Sequence, residues 1–475
     1  MLFPSLEFLF VFFPVTLCGY FILPRRARNY WLLAASLFFY AWGEPVFLLA
    51  LIASILFNYF AALFLARIEP GRAARKLIVA LAVFVNVGFL FALKYLNFLR
   101  DLLSPVLPWA GNLFGGARIV MPIGISFFTF QALSYVIDVY RGVPVQRNLA
   151  YLGLYISFFP QLIAGPIVRY TTVAEQIEER TITLDSFSRG MLRFLRGFSK
   201  KVLLANTLAV VADRAFGASE LSVAMAWLGI VSYTLQIFFD FGGYSEMAIG
   251  LGQMFGFTFL ENFNYPYISK TITEFWRRWH ISLGTWFRDY LYFPLGGSRV
   301  KSRARLIFNL LVVWCATGMW HGASWNFILW GLLYGAIIII EKLTALPRRL
   351  PGHRAPAALY QVFTLLMVML GWVLFRAETL PAAGAYLRTM FGLSGAPLTD
   401  GSFRLYLHDY VAFLIAGILC STPLFAKIRG AVAGRGPRAE AACDVVSCLV
   451  QIALFLIGVS YIVIQAHNPF IYFNF

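Results

Sequence analysis

Leu306-Ile-Phe-Asn-Leu-Leu-Val-Val-Trp-Cys-Ala-Thr-Gly-Met-Trp-His-Gly-Ala-Ser-Trp-Asn-Phe-Ile-Leu-Trp-Gly-Leu-Leu-Tyr-Gly-Ala-Ile-Ile-Ile-Ile340 decides the fold. Two almost wholly apolar runs, Leu306–Trp320 and Ala323–Ile340, flank a short hinge. With a window of about twenty residues, both read as segments that cross or enter a bilayer. His321 is the one residue of this stretch that titrates near neutral pH. A polar side chain at bilayer depth is costly and marks a candidate functional site. An imidazole there suits proton transfer, because it takes and returns a proton at physiological pH. A histidine satisfied by a neighbouring helix is the other reading, and residue type and location alone leave both open.

Composition supports the bilayer as solvent. The 475 residues are 60% hydrophobic, 17% aromatic and 13% charged, with a mean hydropathy of +0.73, far more apolar than a soluble domain. The net charge of +17 sits in short loops between apolar runs and not along one solvated face. Positive-inside loops therefore explain it, and no nucleic-acid partner is expected. Cys18, Cys315, Cys420, Cys443 and Cys448 include no C-x-x-C pair, so neither a zinc site nor a disulfide framework is indicated. Leu2–Leu23 lacks a basic n-region and leads into Arg25, Arg26 and Arg28, which predicts a retained anchor.

Further apolar runs cover Val46–Ala66, Leu77–Leu99, Leu149–Val168, Val223–Phe241, Leu359–Phe375, Val411–Phe425 and Val445–Ile464. Trp31–Trp42, Met121–Val139 and Tyr244–Phe257 are shorter or interrupted. Irregular backbone survives at membrane depth only when buried in protein or lining a cavity. The expected fold is an all-α polytopic membrane protein, one domain over residues 1–475, with about nine to twelve spans of the usual length. Segments 299–305, 341–354 and 427–438 are basic whereas 376–409 balances its charges. The first three should face the cytoplasm and the fourth the outside.

A second segment, Ile272-Thr-Glu-Phe-Trp-Arg-Arg-Trp-His-Ile-Ser-Leu-Gly-Thr-Trp-Phe-Arg-Asp-Tyr-Leu291, has helical periodicity. Phe275, Trp276, Trp279, Leu283, Trp286 and Phe287 share one arc; Glu274, Arg277, Arg278 and Arg288 lie opposite. This predicts an amphipathic helix at the membrane interface with His280 inside its apolar arc. Either His280 finds an interfacial partner or it faces the same buried site as His321. Other chemistries find no support: the chain has no G-x-S-x-G elbow, P-loop or H-E-x-x-H, and Gly250–Gly256 has the wrong spacing for a dinucleotide fingerprint. His353, His408 and His467 fall in loops or near segment ends and read as solvated.

Tyr267–His280, then Phe287-Arg-Asp-Tyr-Leu-Tyr-Phe-Pro-Leu-Gly-Gly297, then Trp320-His321-Gly322 together resemble the signature of the membrane-bound O-acyltransferase family, most closely its bacterial alginate O-acetyltransferase branch. Phe38–Trp42, Met121–Phe127, Tyr135–Gly142, Phe159–Pro166, Phe239–Ser245 and Asn468–Phe473 extend the likeness along the chain. The resemblance implies a ring of transmembrane and re-entrant helices around a tunnel, with His321 catalytic and His280 as the second site histidine. Acyl transfer to a hydroxyl would use neutral His321 as general base. Trp320, Trp325, Asn326 or a protonated His280 are candidate oxyanion donors, and Arg277, Arg278, Arg299 and Lys301 candidate contacts to the donor. No bound cofactor or metal is expected; the co-substrate would be an acyl thioester, acetyl-CoA or an acyl-carrier protein. The implied setting is the bacterial inner membrane, in contact with lipid. There the chain would pass acetyl groups to an exported polysaccharide through a periplasmic partner transferase at 376–409 or Tyr472–Phe475. Two rivals are a transporter or flippase of a lipid-linked glycan, which would usually show repeat symmetry between halves, and a histidine-ligated haem or metal protein.

Overall fold

The computed structural model describes residues 1–111, 118–349, 354–464 and 471, and among these it contains helices and no strand. Two compact units are formed, Met1–Met191 with Ala248–Leu260, and Leu192–Met247 with Glu261–Phe475. In chain order the helices are α1 (Phe13–Ile22), α2 (Arg25–Gly43), α3 (Leu48–Ala66), α4 (Ala73–Leu103), α5 (Pro108–Gly111), α6 (Ile125–Tyr140), α7 (Leu149–Ser157), α8 (Phe159–Leu162), α9 (Tyr170–Glu178), α10 (Leu184–Ser199) and α11 (Asn206–Phe216). They continue with α12 (Val223–Met254), α13 (Ile272–Arg278), α14 (Ile281–Phe287), α15 (Arg303–His321), α16 (Trp325–Leu343), α17 (Leu346–Arg349), α18 (Arg354–Arg376), α19 (Leu380–Met390), α20 (Gly401–Cys420), α21 (Leu424–Ala433) and α22 (Pro437–Ile464).

Seven of these, α3, α4, α12, α16, α18, α20 and α22, are long and apolar enough to cross a membrane. Hydropathy had suggested more, and the differences have local causes. Leu2–Leu23 falls short of that length: its apolar helical part, Phe8–Ile22, is shorter, and Phe8 is packed against Phe39 and Phe159. Leu149–Val168 is divided where Phe158 turns the chain between α7 and α8. α15 begins with Arg303 and Arg305, which leaves its apolar centre short. Conversely, Gly242-Gly243 does not break α12, which runs unbroken for 32 residues. A Cβ on Gly243 would lie 2.7 Å from the Gly197 carbonyl oxygen, so this glycine permits close helix packing and not a kink.

In the first unit several buried polar groups pair inside the helix bundle, as a low-dielectric surround favours. Asn58 of α3 and Asn86 of α4 exchange amide hydrogen bonds at 2.8 and 3.0 Å. Arg75 donates to the carbonyls of Val139 and Tyr140 at the end of α6. In the second unit Lys201 and Asp240, both buried, form an ion pair at 2.7 Å. Lys201 also donates to Asn206, and Asp240 accepts the Ile471 N–H at 2.8 Å. The second unit's core is a block of rings, with Trp276 of α13 against Trp314, Trp330 and Tyr334, and Trp279 against Trp372.

Candidate active site

α15 and α16 form an antiparallel hairpin whose backbones touch. A Cβ on Gly331 would lie 2.4 Å from the Trp314 carbonyl oxygen and 3.0 Å from Gly318 Cα; one on Gly318 would lie 2.4 Å from the Phe327 carbonyl oxygen. Small residues at such crossings let helices pack on dispersion alone. This crossing fixes the end of α15, where His321 is the last helical residue and is 1% exposed. Its Nδ1 lies 2.8 Å from the Thr317 carbonyl oxygen one turn earlier. A carbonyl only accepts, so Nδ1 carries a proton and donates to it. Trp320, Trp330 and Phe375 meet the imidazole edge-on, with centroids 5.0, 4.7 and 5.6 Å away.

The expected single helix over Ile272–Leu291 is broken at its histidine. α13 is capped by the Thr271 side chain and stops before Trp279; α14 starts at Ile281, and a π-turn follows at Arg288–Tyr292. His280 sits between them in the left-handed region, φ +46 and ψ +53, a conformation that costs a non-glycine residue about 1–3 kcal/mol and clusters at functional sites. The break turns the ring inward. His280 is 2% exposed, with centroids 4.7 Å from Phe241 and 5.7 Å from Trp320. Trp320 therefore touches both imidazoles. His280 lies outside the membrane-crossing helices; burial first, and then nearby His321, push it well below its ordinary range, so it is neutral.

The remaining candidates separate. Trp325 is 49% exposed at the start of α16. Asn326 is buried and donates to the Ala377 carbonyl at 2.7 Å, tying α16 to the end of α18. Arg278 pairs with Glu274 and donates to the Asn264 carbonyl. Arg277, Arg299 and Lys301 are exposed. His408 is exposed and lies 3.0 Å from Asp409. His353, His467 and Tyr472–Phe475 lie outside the described residues.

Two residues enter the picture that periodicity did not single out. Asn262, buried in the loop after α12, places Oδ1 3.1 Å from His280 Nδ1 and 2.9 Å from Ser282 Oγ, while its Nδ2 donates to Ser245 Oγ at 3.0 Å. Glu341 of α16 is 0% exposed and accepts the N–H groups of Ile272 and Thr273 and the Tyr360 hydroxyl. An intramembrane carboxylate in the Leu306–Lys342 stretch was the available signal for Glu341; Asn262 gave none, because one asparagine in a loop is ordinary.

The sequence model of the family described as MBOAT, membrane-bound O-acyltransferase, matches residues 40–378. The chain is 40% identical, over the whole of both chains, to a protein of Azotobacter vinelandii named "Probable alginate O-acetylase AlgI". It is 37% identical to the peptidoglycan O-acetyltransferase of Helicobacter pylori, over 84% of this chain and 81% of that one. Teichoic acid D-alanyltransferase of Bacillus subtilis is 29% identical over 54% of this chain and 69% of its own length.

Proposed function

The chain belongs to the membrane-bound O-acyltransferase family, and from that premise we propose that it moves acetyl groups from a cytoplasmic thioester toward hydroxyls of an exported polysaccharide, with His321 as general base. The observation that carries this reading is the imidazole held by Thr317 in a ring-lined, buried setting beside His280. Nε2 of His321 accepts the proton of the acceptor hydroxyl as its oxygen attacks the thioester carbonyl. The C–S bond then breaks, and the same proton passes to the departing thiolate. Such catalysis contributes about 10²- to 10⁴-fold. The Trp320 indole, which touches both histidines, is the donor best placed among the candidates to face the developing oxyanion.

The hairpin supports one direction across the membrane. Arg303, Arg305 and Lys342 share one end of α15 and α16, and His321 and Trp325 the other. Positive-inside bias supports a cytoplasmic basic end and an outward-facing His321. Trp276 packs on Trp314, 11 residues into an α15 that starts at Arg303, or about 16 Å along the axis. Arg277, next to it, is nevertheless exposed. A charged side chain at that depth supports a water-filled vestibule, where Arg277 would meet the phosphate of acetyl-CoA or of a carrier-protein arm.

The acceptor class is supported by the relatives named for alginate and peptidoglycan O-acetylation. Such glycans lie outside the cytoplasmic thioester pool, so we place a separate periplasmic transferase after this chain, docking at 376–409 of the inner-membrane protein. Reconstituted alone with acetyl donor and polysaccharide, the protein should acetylate the polymer poorly, and a periplasmic extract should restore transfer. Efficient acetylation by the purified chain would refute the relay.

A further inference from the structure

We propose that Asn262 is the positioning residue that fixes His280 as its Nδ1–H tautomer, so that His280 serves the site as a hydrogen-bond acceptor through Nε2 and not as an oxyanion donor. The inference rests on the reading of the His280–His321 pair as the acyl-transfer site. The amide of Asn262 has a defined orientation. The backbone N–H of Ser282 points at Oδ1 from 3.3 Å, the Ser282 hydroxyl donates to the same atom, and Nδ2 is engaged by Ser245. The atom 3.1 Å from His280 Nδ1 is thus a carbonyl oxygen, which accepts and cannot donate. Nδ1 must bring the proton, and the lone pair of the neutral ring is left on Nε2.

The side chain chosen for this contact matters. A carboxylate at the same position would favour the imidazolium, as an acidic partner does in hydrolytic triads; the amide holds the ring without favouring its charge. Among the described residues, Phe241 of α12, Trp320 of α15, Asn262 and Ser282 present neutral groups to His280, and His321 on α15 is a titratable neighbour. With both Nε2 atoms acting as acceptors, His321 takes the proton of the attacking hydroxyl. His280 orients a second donor of the substrates, a hydroxyl or an amide N–H, by accepting from it.

The test is the pH dependence of acetyl transfer in membranes carrying Asn262→Asp, a nearly isosteric change. The acidic limb of the rate profile should move upward by about one pH unit or more, with rates approaching wild type at alkaline pH, because the new carboxylate stabilises the charged ring. A profile that superimposes on wild type, or no activity at any pH from an abundant variant, overturns the proposal. Should Asn262→Asp not accumulate, the wild-type protein decides. With isotope-labelled histidine nitrogens, the resonances lost in His280→Gln should be those of an Nδ1–H imidazole, and an Nε2–H or doubly protonated signature overturns it. His321→Ala keeps the two readings apart: an active alanine variant sinks the site itself, whereas an inactive one beside an unmoved Asn262→Asp profile sinks only the tautomer assignment.

Discussion

Glu341 holds the start of α13: its carboxylate receives the Ile272 N–H at 2.8 Å, and the Thr273 N–H at the same distance. One side chain near the basic end of α16 thereby anchors the helix that leads to His280. Replacing it with alanine leaves the buried Ile272 N–H without its acceptor, at a cost of about 1–3 kcal/mol, and strips the half-buried Thr273 N–H of the same partner. We expect Glu341→Ala to lower acetyl transfer at least tenfold per molecule of membrane protein, and Glu341→Gln, which keeps one acceptor oxygen, to lower it less. Equal activity of Glu341→Ala and wild type would show that α13 does not need this anchor.

The Gly318–Gly331 crossing predicts a steric threshold. Gly331→Val puts a branched side chain where a Cβ alone would stand 2.4 Å from the Trp314 carbonyl oxygen. Its melting temperature in detergent and its membrane abundance should both fall. Gly384→Ala in α19, where the added carbon meets nothing within 4 Å, should be neutral or gain about 0.5–1 kcal/mol from helix propensity. Comparable melting of the two variants would contradict close packing of the hairpin.

The Lys201–Asp240 pair predicts non-additive mutants. Removing one partner strands a buried charge and costs about 3–5 kcal/mol, while removing both costs far less. Lys201→Met and Asp240→Asn should each destabilise the detergent-solubilised protein, and the double variant should recover most of the loss. Additive losses would mean that the two charges do not depend on one another.

Orientation is checked by reporter fusions. A reporter after Pro351 or Gly434 should report cytoplasm and one after Gly401 the outside, because α18 and α20, each long and apolar enough to cross, lie between these positions and the basic segments flank the first two. The reverse pattern at any two positions would invert the direction of transfer proposed for His321.

The membrane class was legible in the sequence through the contrast of apolar runs against short basic loops, and His321 stood out as the one side chain titrating near neutral pH inside 35 nearly uniform residues, a contrast that by itself left a packed histidine equally open. His280 was legible in identity but not in geometry. Helical periodicity placed it mid-helix, and nothing local announces that Trp279 and His280 leave the helix, since their neighbours are all compatible with continuing it. The break is decided by tertiary contacts, with Phe241, Asn262 and Trp320 around the ring. Asn262 lies 18 residues before His280 and has no periodic or motif relation to it. The basic residues could not be told apart in the sequence: Arg278 is engaged with Glu274 and Asn264 while Arg277 is exposed, and only tertiary contacts separate the two.

The central claim is that His321 is the base, and its most direct test is the O-acetyl content of the secreted polysaccharide from cells whose sole copy is His321→Ala. Membrane abundance should stay near wild type, because the lost ring contacts lie at one end of α15 and the Gly318–Gly331 crossing is intact. Acetyl content should fall to background, in line with the loss of about 10²- to 10⁴-fold in rate expected for a missing general base. Most of the acetyl content surviving in the alanine variant at normal abundance would contradict the account.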